Sequence, residues 1–101
     1  MDVVGREVLE RFKRKHPDVQ TQVDSWLFEV EGARWETLQV ITERYRSASI
    51  LSENRVVFNL KGNRCRLLVR VACRSGKVIV LKAGTHAECD RWNLQEGRSE
   101  P

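Results

Sequence analysis

The chain of 101 residues lacks any apolar run that approaches the length of a membrane-spanning helix. Its first five residues, Met1 to Gly5, turn polar at once, so we expect no signal peptide, no membrane association and a cytoplasmic location. Hydrophobic residues make up 41% of the chain and charged residues 32%, which is typical of a soluble globular protein. This length predicts one domain with a single modest core.

Cysteine is scarce, and its spacing argues against a metal or disulfide framework. Cys65, Cys73 and Cys89 are odd in number and form no C-x-x-C pair. The first two are eight residues apart on one predicted strand, about 26 Å, which is too far for one bridge or one metal ion. His86 and Cys89 would supply two ligands on a helical turn, whereas zinc requires three or four. We therefore expect reduced, unliganded thiols, no metal and no cofactor.

Positive charge is in excess, and most of it is arginine. The formal net charge is +4 with a pI near 9.3, and 13 of the 18 cations are arginines. Because guanidinium offers a planar, bidentate fork to phosphate, this bias favours a nucleic-acid partner. Many small domains are mildly basic without binding nucleic acid, so charge alone leaves the partner open.

Residues 54–90 are the stretch around which the rest of the chain is organised. Two turn signals, Gly62-Asn63 and Ser75-Gly76, separate three strand-like runs and predict two consecutive hairpins. If each loop has two residues, the predicted pairs are Lys61 with Arg64, Arg74 with Lys77, Asn59 with Arg66, and Arg66 with Thr85. His86 then lies one residue past a strand end, beside Arg66.

Alternation along these strands predicts two very different sheet faces. The apolar face carries Val56, Phe58, Leu60, Leu67, Val69, Val71, Val78 and Val80. The opposite face, which we call the cationic face, carries Arg55, Asn59, Lys61, Arg64, Arg66, Arg70 and Arg74. A slip of one residue would bury the row of arginines, so the hydrophobic pattern supports this register.

The N-terminal third predicts a helical hairpin that covers the apolar face. Val4, Val8, Leu9 and Phe12 form one helical stripe, although residues 1–4 are also compatible with a short edge strand before a helix from about Gly5. This helix ends at His16-Pro17, because the residue before proline disfavours the α region. The second helix carries the apolar positions Val19, Val23, Trp26, Leu27 and Val30, which we assign to the core, and Gly32 is its predicted end.

Residues 33–51 are less regular. Thr37 is a candidate N-cap for a short helix through about Glu43, with Leu38, Val40 and Ile41 facing inward. Residues 45–51 are compatible with either a short strand or a structured loop. The polar segment 95–101 is expected to fray, which leaves residues 1–94 as the single predicted domain.

Three segments resemble the HigB-type toxins of the RelE/ParE superfamily: Tyr45–Leu51, Val57–Asn63 with Arg66-Leu67, and Gly84–Glu88 with Asp90. The similarity extends from Lys15 to Asp90. It implies an α+β fold, a twisted antiparallel sheet with an N-terminal two-helix hairpin on one face. It also implies the toxin of a type II toxin–antitoxin system. Such a toxin is an endoribonuclease that cleaves mRNA on the ribosome and is held inactive by a helix-turn-helix, HigA-like antitoxin from the adjacent gene.

The expected chemistry is metal-independent attack of the ribose 2′-OH on its own phosphate. It needs proton transfer and cations for the charge that develops on phosphate. His86 is the candidate proton carrier because an imidazole ordinarily titrates near neutral pH. Arg66 is the candidate phosphate clamp, Asn59 a positioning hydrogen-bonder, and Asp90 the group that orients His86. The predicted RNA-binding residues are Lys61, Arg64, Arg70 and Trp92.

The chain departs from this family at its cysteines. The resemblance implies tyrosine at the positions of Cys65 and Cys89 and an aromatic at Cys73. A thiol does not stack on a base as a phenol ring does. We therefore expect one of two outcomes: Trp92 stacks on the base in place of the tyrosine, or the activity of the toxin is attenuated. Each assignment has a competing interpretation. His86 is also compatible with an ordinary surface histidine, and Arg70 with a solvated strand face. For the whole protein, the alternatives are a non-catalytic binder of RNA or ribosomes and a ParE-like inhibitor of a protein target.

Overall fold

The computed structural model describes residues 1–60 and 64–92. In chain order the elements are β1 (Asp2–Val4), α1 (Arg6–Lys15), a 3₁₀ turn (Pro17–Val19), α2 (Gln20–Gly32), α3 (Leu38–Arg44), β2 (Ser49–Ile50), β3 (Arg55–Leu60), β4 (Cys65–Ala72), β5 (Lys77–Thr85) and α4 (His86–Cys89). The predicted α+β class is confirmed.

The strands form one five-stranded sheet in the order β1-β5-β4-β3-β2. Strands β2 to β5 are joined by antiparallel ladders, and those among β3, β4 and β5 were predicted. Strand β1 adds to β5 in parallel, which settles the open choice for residues 1–4 in favour of an edge strand. Gly5 links β1 to α1 with a φ of 90°, and a Cβ there would lie 2.7 Å from the Val80 carbonyl oxygen, so this tight reversal requires glycine.

The predicted helical hairpin is also present. Helix α1 ends at Lys15, directly before His16-Pro17, and α2 ends at Gly32. Trp26 is buried and meets Phe58 of β3 edge-on, which confirms its assignment to the core. Leu9, Phe12 and Val23 bury the facing sides of the two helices in the same cluster as the apolar strand residues.

Helix α3 begins where the sequence predicts, because the Thr37 side chain accepts a hydrogen bond from the Val40 backbone N–H. Ile41 is fully buried and Leu38 packs against the core. Val40 is 39% exposed, so its inward assignment is wrong: it lies one position off the buried face of a short helix. Ser49 and Ile50 pair with β3, which decides the open choice in favour of a short strand.

The predicted register is confirmed for the first hairpin and wrong for the second. Asn59 lies opposite Arg66, as expected. Arg66, however, lies opposite Gly84 rather than Thr85, and Lys77 lies opposite Ala72 rather than Arg74.

Two local features cause the second discrepancy. The β4–β5 turn spans residues 73–76, because Gly76, with a φ of 69°, occupies its last position rather than the centre of a two-residue loop. A register shift between Leu68 and Val69 then leaves Leu81 as an extra residue in β5. Relative to the prediction, the longer turn shifts the pairing of β4 with β5 by two residues. The bulge then reduces this shift to one residue.

The apolar face is confirmed, whereas the cationic face is less uniform than predicted. Val57 and Leu68, which pair across β3 and β4, alternate with its polar side chains yet are buried. They divide the face into an end that carries Asn59 and Arg66 and an end that carries Arg55 and Arg70. Long arginine side chains are suited to cover such an apolar strip while their charged ends stay in water.

Several expectations lie outside the described residues. They include Lys61, the Gly62-Asn63 turn itself and the frayed segment 95–101. Among residues 1–60 and 64–92, no helix is both long and apolar enough to cross a membrane.

Candidate functional site

The candidate site is built on a row that crosses three strands. Asn59 of β3, Arg66 of β4 and Gly84 of β5 are successive cross-strand partners. Strand β5 ends one residue after Gly84, at Thr85, and α4 begins with His86. The fold therefore places Asn59 and Arg66 in a row that ends where the chain turns from β5 into α4.

Arg66 is held partly buried by a contact that the sequence analysis did not anticipate. Its Nη1 donates to the Cys89 Sγ at 3.6 Å, and the Cys89 side chain is only 3% exposed. The Nε of Arg66 is buried and has no hydrogen-bond partner within residues 1–60 and 64–92. A buried donor without a partner is costly, so this guanidinium is suited to receive an anionic acceptor.

Asn59 holds the neighbouring loop rather than facing free solvent. Its Nδ2 donates to the Ser47 carbonyl oxygen at 2.6 Å, which fixes the segment before β2 against β3. The Oδ1 is buried, and no partner for it occurs in the described part of the chain. Asn59 thus has its amide nitrogen committed to the fold, while its buried carbonyl oxygen can only accept a hydrogen bond.

His86 is exposed and lies near one carboxylate. Its side chain is 56% exposed, and its Nε2 is 4.0 Å from the Asp90 Oδ2, one helical turn away. The predicted proximity of Asp90 to His86 is therefore present, although the separation is too long for a direct hydrogen bond. An exposed imidazole is accessible to a ligand that arrives from solvent.

Glu88 anchors α4 to the helical hairpin. Its Oε1 accepts from the Thr85 backbone N–H at 2.9 Å, while the Thr85 hydroxyl accepts from the Glu88 N–H, which is a capping box. Lys15 at the end of α1 donates to its Oε2 at 2.8 Å, and the Nε2 of His16 lies 3.6 Å from its Oε1. The Lys15 hydrogen bond, followed by the Thr85 N–H, lowers the pKa of Glu88 to about 2.

We expect Glu88→Gln to reduce stability at neutral pH by about 1 kcal/mol or less, since the amide keeps the bond from the Thr85 N–H and loses only a largely exposed ion pair. A carboxylate whose folded pKa is depressed stabilises above its ordinary value, 4.5, and this contribution is lost as the pH falls toward 2. The melting temperatures of the wild type and Glu88→Gln should therefore converge with acidification.

Lys15→Gln is the matched control for that measurement, because it removes the other partner of the same ion pair. It should show the same convergence. A difference in melting temperature that is constant from pH 6 down to about pH 2 would contradict the role of Glu88.

Trp92 lies next to Gly84, the β5 member of the row, and its side chain is only partly exposed. A Cβ at Gly84 would be 3.0 Å from the Trp92 ring, and the Lys82 ammonium lies 6.0 Å from the ring centroid. The ring also lines a groove of about 530 Å³ between α1 and the end of β5. This packing places the ring next to Gly84, the strand partner of Arg66. The role of Trp92 as a stacking platform for a base stays a prediction.

The remaining predicted RNA-binding residues are spread over the face. Arg64 is exposed just before β4, next to residues that the structure does not describe. Arg70 is at the far end of β4, opposite Arg55. Arg70 lies four positions along the strand from Arg66, about 13 Å away, so the two do not share one phosphate site.

Cys65, Cys73 and Cys89 are free thiols in the structure. Cys65 is fully buried in the core, and burial, with a smaller contribution from Asp18, raises the pKa of its thiol to about 12. Cys73 packs against the same core. No cluster of three His, Cys, Asp or Glu side chains with metal-binding geometry occurs in residues 1–60 and 64–92.

The supporting roles of Cys89 and Glu88 were not predicted from the sequence. The Thr85-x-x-Glu88 pattern was a readable signal, because Ser or Thr followed three residues later by Glu marks a capped helix start. The ion pair from Glu88 to Lys15 joins residues 73 positions apart, and no local pattern encodes it.

Comparison with protein-family models decides the family. Residues 19–92 match the HigB toxin model, described as a RelE-like toxic component of a toxin–antitoxin system. The chain belongs to the HigB family of RelE-like toxins. A comparison with curated protein sequences gave no significant match. The HigB match includes α2, the whole row from Asn59 to Gly84, and α4. The protein is therefore a toxin with an antitoxin partner.

Proposed function

We propose that this HigB-family toxin is an endoribonuclease that cleaves mRNA. The observation that supports the proposal most strongly is Arg66, whose guanidinium has a buried Nε without a partner in the described residues. It lies between Asn59 and the strand that leads into His86. A cation poised for an anion, beside an exposed imidazole, is the arrangement that phosphate-ester cleavage requires.

In the proposed reaction the ribose 2′-OH attacks the adjacent phosphorus. The O–P bond that forms closes a 2′,3′-cyclic phosphate, and the P–O5′ bond breaks. The 2′ proton is removed as the nucleophile attacks, and the departing 5′ oxygen takes up a proton to leave as a 5′-OH. His86 transfers a proton, Asp90 orients its ring, and Arg66 stabilises the charge on the phosphate. Asn59 is the positioning hydrogen-bonder beside Arg66.

We further propose that cleavage takes place on the ribosome, in the cytoplasm, and that a HigA-like helix-turn-helix antitoxin suppresses it. Arg64 and Lys61 would add electrostatic attraction to the RNA backbone, and Trp92 would stack a base. The family membership and the basic net charge of +4 support this assignment.

Induced expression tests the proposed function in cells. Incorporation of labelled amino acids should stop before incorporation of labelled thymidine, because destruction of messages blocks translation first. An arrest of DNA synthesis that precedes the loss of translation would instead support a ParE-like inhibitor of a protein target.

A non-catalytic RNA or ribosome binder is the second candidate. It is favoured by the 4.0 Å separation between His86 and Asp90, at which no direct hydrogen bond fixes the imidazole. Such a binder would arrest translation without new RNA ends, so sequencing of message 5′ ends after induction separates it from a nuclease.

The antitoxin provides an independent check. The product of the adjacent gene, co-expressed with this toxin, should co-purify as a stable complex and restore growth. Two purified proteins that remain separate when mixed at micromolar concentration would contradict the assignment of that antitoxin.

A further inference from the structure

A second pair of arginines lies on the cationic face, away from Arg66. Arg55 and Arg70 are direct cross-strand partners on β3 and β4. Like charges placed directly opposite one another destabilise a sheet unless an anion lies between them. Within the described residues, Glu53 forms an ion pair with one of the two: its Oε1 lies 3.5 Å from the Arg70 Nη2.

The backbone turn before β3 holds both guanidinium groups. The Nε of Arg55 donates to the Ser52 carbonyl oxygen at 3.2 Å, and the Nε of Arg70 donates to the Glu53 carbonyl oxygen at 3.3 Å. Glu53 and Asn54 in this turn both have φ near 61°, so the turn is closed by a strained backbone. These bonds use the inner nitrogens and fix the direction of both side chains.

The two Nη2 atoms are less well held: that of Arg55 is unpaired among the described residues, and that of Arg70 is in a loose ion pair. The Nη2 of Arg55 is buried, and no partner for it occurs in residues 1–60 and 64–92. The side chain of Arg70 is 44% exposed, and that of Glu53 is 69% exposed, so their ion pair is loose and open to exchange. An incoming phosphate would offer the Arg70 guanidinium a better acceptor than Glu53 does, and the Arg55 guanidinium the acceptor that its Nη2 lacks within the described residues.

We propose that Arg55 and Arg70 form a second phosphate-binding subsite, for the RNA backbone at a distance from the cleaved bond. The inference rests on the proposed nuclease function. The subsite lies four β4 residues from Arg66, about 13 Å, which roughly two to four nucleotides span, depending on whether the strand is extended or stacked at ~3.4 Å per step. The buried pair Val57 and Leu68 forms the apolar floor between the two subsites.

Single-turnover cleavage of mRNA on programmed ribosomes tests the subsite. The double variant Arg55→Gln, Arg70→Gln should raise the half-saturating toxin concentration about tenfold and leave the rate at saturation unchanged, because the subsite binds RNA without touching the reacting atoms. The matched control is Arg14→Gln, Arg34→Gln, which removes two exposed arginines from α1 and from the loop after α2. It should stay within about twofold of the wild type.

A neutral methylphosphonate placed singly at each position within about four nucleotides of the cleaved bond locates the contact. Methylphosphonate at one or two of these positions should weaken RNA binding by the wild type and by the control variant. The same methylphosphonates should have no further effect on binding by the Arg55→Gln, Arg70→Gln variant. Glu53→Gln removes the competing carboxylate and should tighten binding, which tests the subsite even if the double variant does not fold.

Two results would overturn the subsite, provided that the wild type cleaves normally. One is a folded double variant whose half-saturating concentration matches that of the control. The other is a double variant that keeps the sensitivity to methylphosphonate. Binding of inorganic phosphate that is lost in the double variant, without an effect on RNA, would identify a free-anion site and also overturn it. A wild type that cleaves no message on the ribosome would refute the proposed nuclease and the RNA subsite together.

Discussion

His86→Gln should lower the rate of message cleavage by roughly 10²–10⁴-fold, the usual worth of one positioned acid or base. Glutamine keeps a polar side chain of similar reach but transfers no proton at neutral pH. Because the His86 side chain is 56% exposed, its replacement should change stability little, and binding to RNA or ribosomes should be retained. Single-turnover cleavage at saturating toxin measures this loss.

The chain supplies its own matched control, since it has one other histidine. His16→Gln makes the same chemical change at the end of α1, where the ring packs on Phe12 and lies near Glu88. Cleavage by His16→Gln should stay near the wild-type rate. A His86→Gln protein that cleaves as fast as His16→Gln would remove His86 from the chemistry.

Arg66→Ala should abolish growth arrest and lower cleavage by about 10²-fold or more, the typical cost of one donor that stabilises developing charge. The substitution removes the guanidinium that lies between Asn59 and Gly84. It leaves the core intact, because the buried β4 residues Leu67 and Val69 point to the opposite face. The protein should therefore still fold and still bind its antitoxin.

Arg66→Lys refines this test. Lysine restores the charge without the planar fork, so it should recover only part of the activity. Arg74→Ala, in the exposed β4–β5 turn, is the control for loss of one positive charge. An Arg66→Ala protein that folds and remains as toxic as Arg74→Ala would exclude Arg66 from the site.

The sequence predicted the first hairpin well because two independent signals agreed there. Strand alternation and the Gly62-Asn63 turn dipeptide both place Asn59 opposite Arg66, and that pair is present. Helix boundaries were predictable for the same kind of local reason: proline ends α1, and the Thr37 hydroxyl caps α3.

The second hairpin shows what such patterns miss. Ser75-Gly76 marks a turn, but the dipeptide does not specify whether glycine occupies the centre or the last position of the turn. The extra residue Leu81 has no sequence signature of its own, because Val78 and Val80 stay on the apolar face in either register. The predicted pair Arg66 with Thr85 was therefore wrong by one residue.

The candidate site was predictable in its residue types but not in its supporting contacts. Arg66 and His86 follow from the strand face and the family resemblance. The donation from Arg66 to Cys89 and the ion pair of Glu88 with Lys15 depend on how α4 folds back over the sheet, which is a tertiary event. Buried Cys89 is consequently a support for the arginine, whereas the sequence suggested only a missing aromatic.

The chemistry of the new RNA ends tests the central claim most directly. Messages are taken from ribosomes incubated with the wild-type toxin or with His86→Gln, and their 5′ ends are captured with and without prior phosphorylation by a kinase. The account predicts new 5′-hydroxyl ends in the wild-type sample, which are captured only after phosphorylation and are depleted with His86→Gln. New ends that carry a 5′-phosphate, or the same ends at equal yield with His86→Gln, would contradict attack by the 2′-OH assisted by His86.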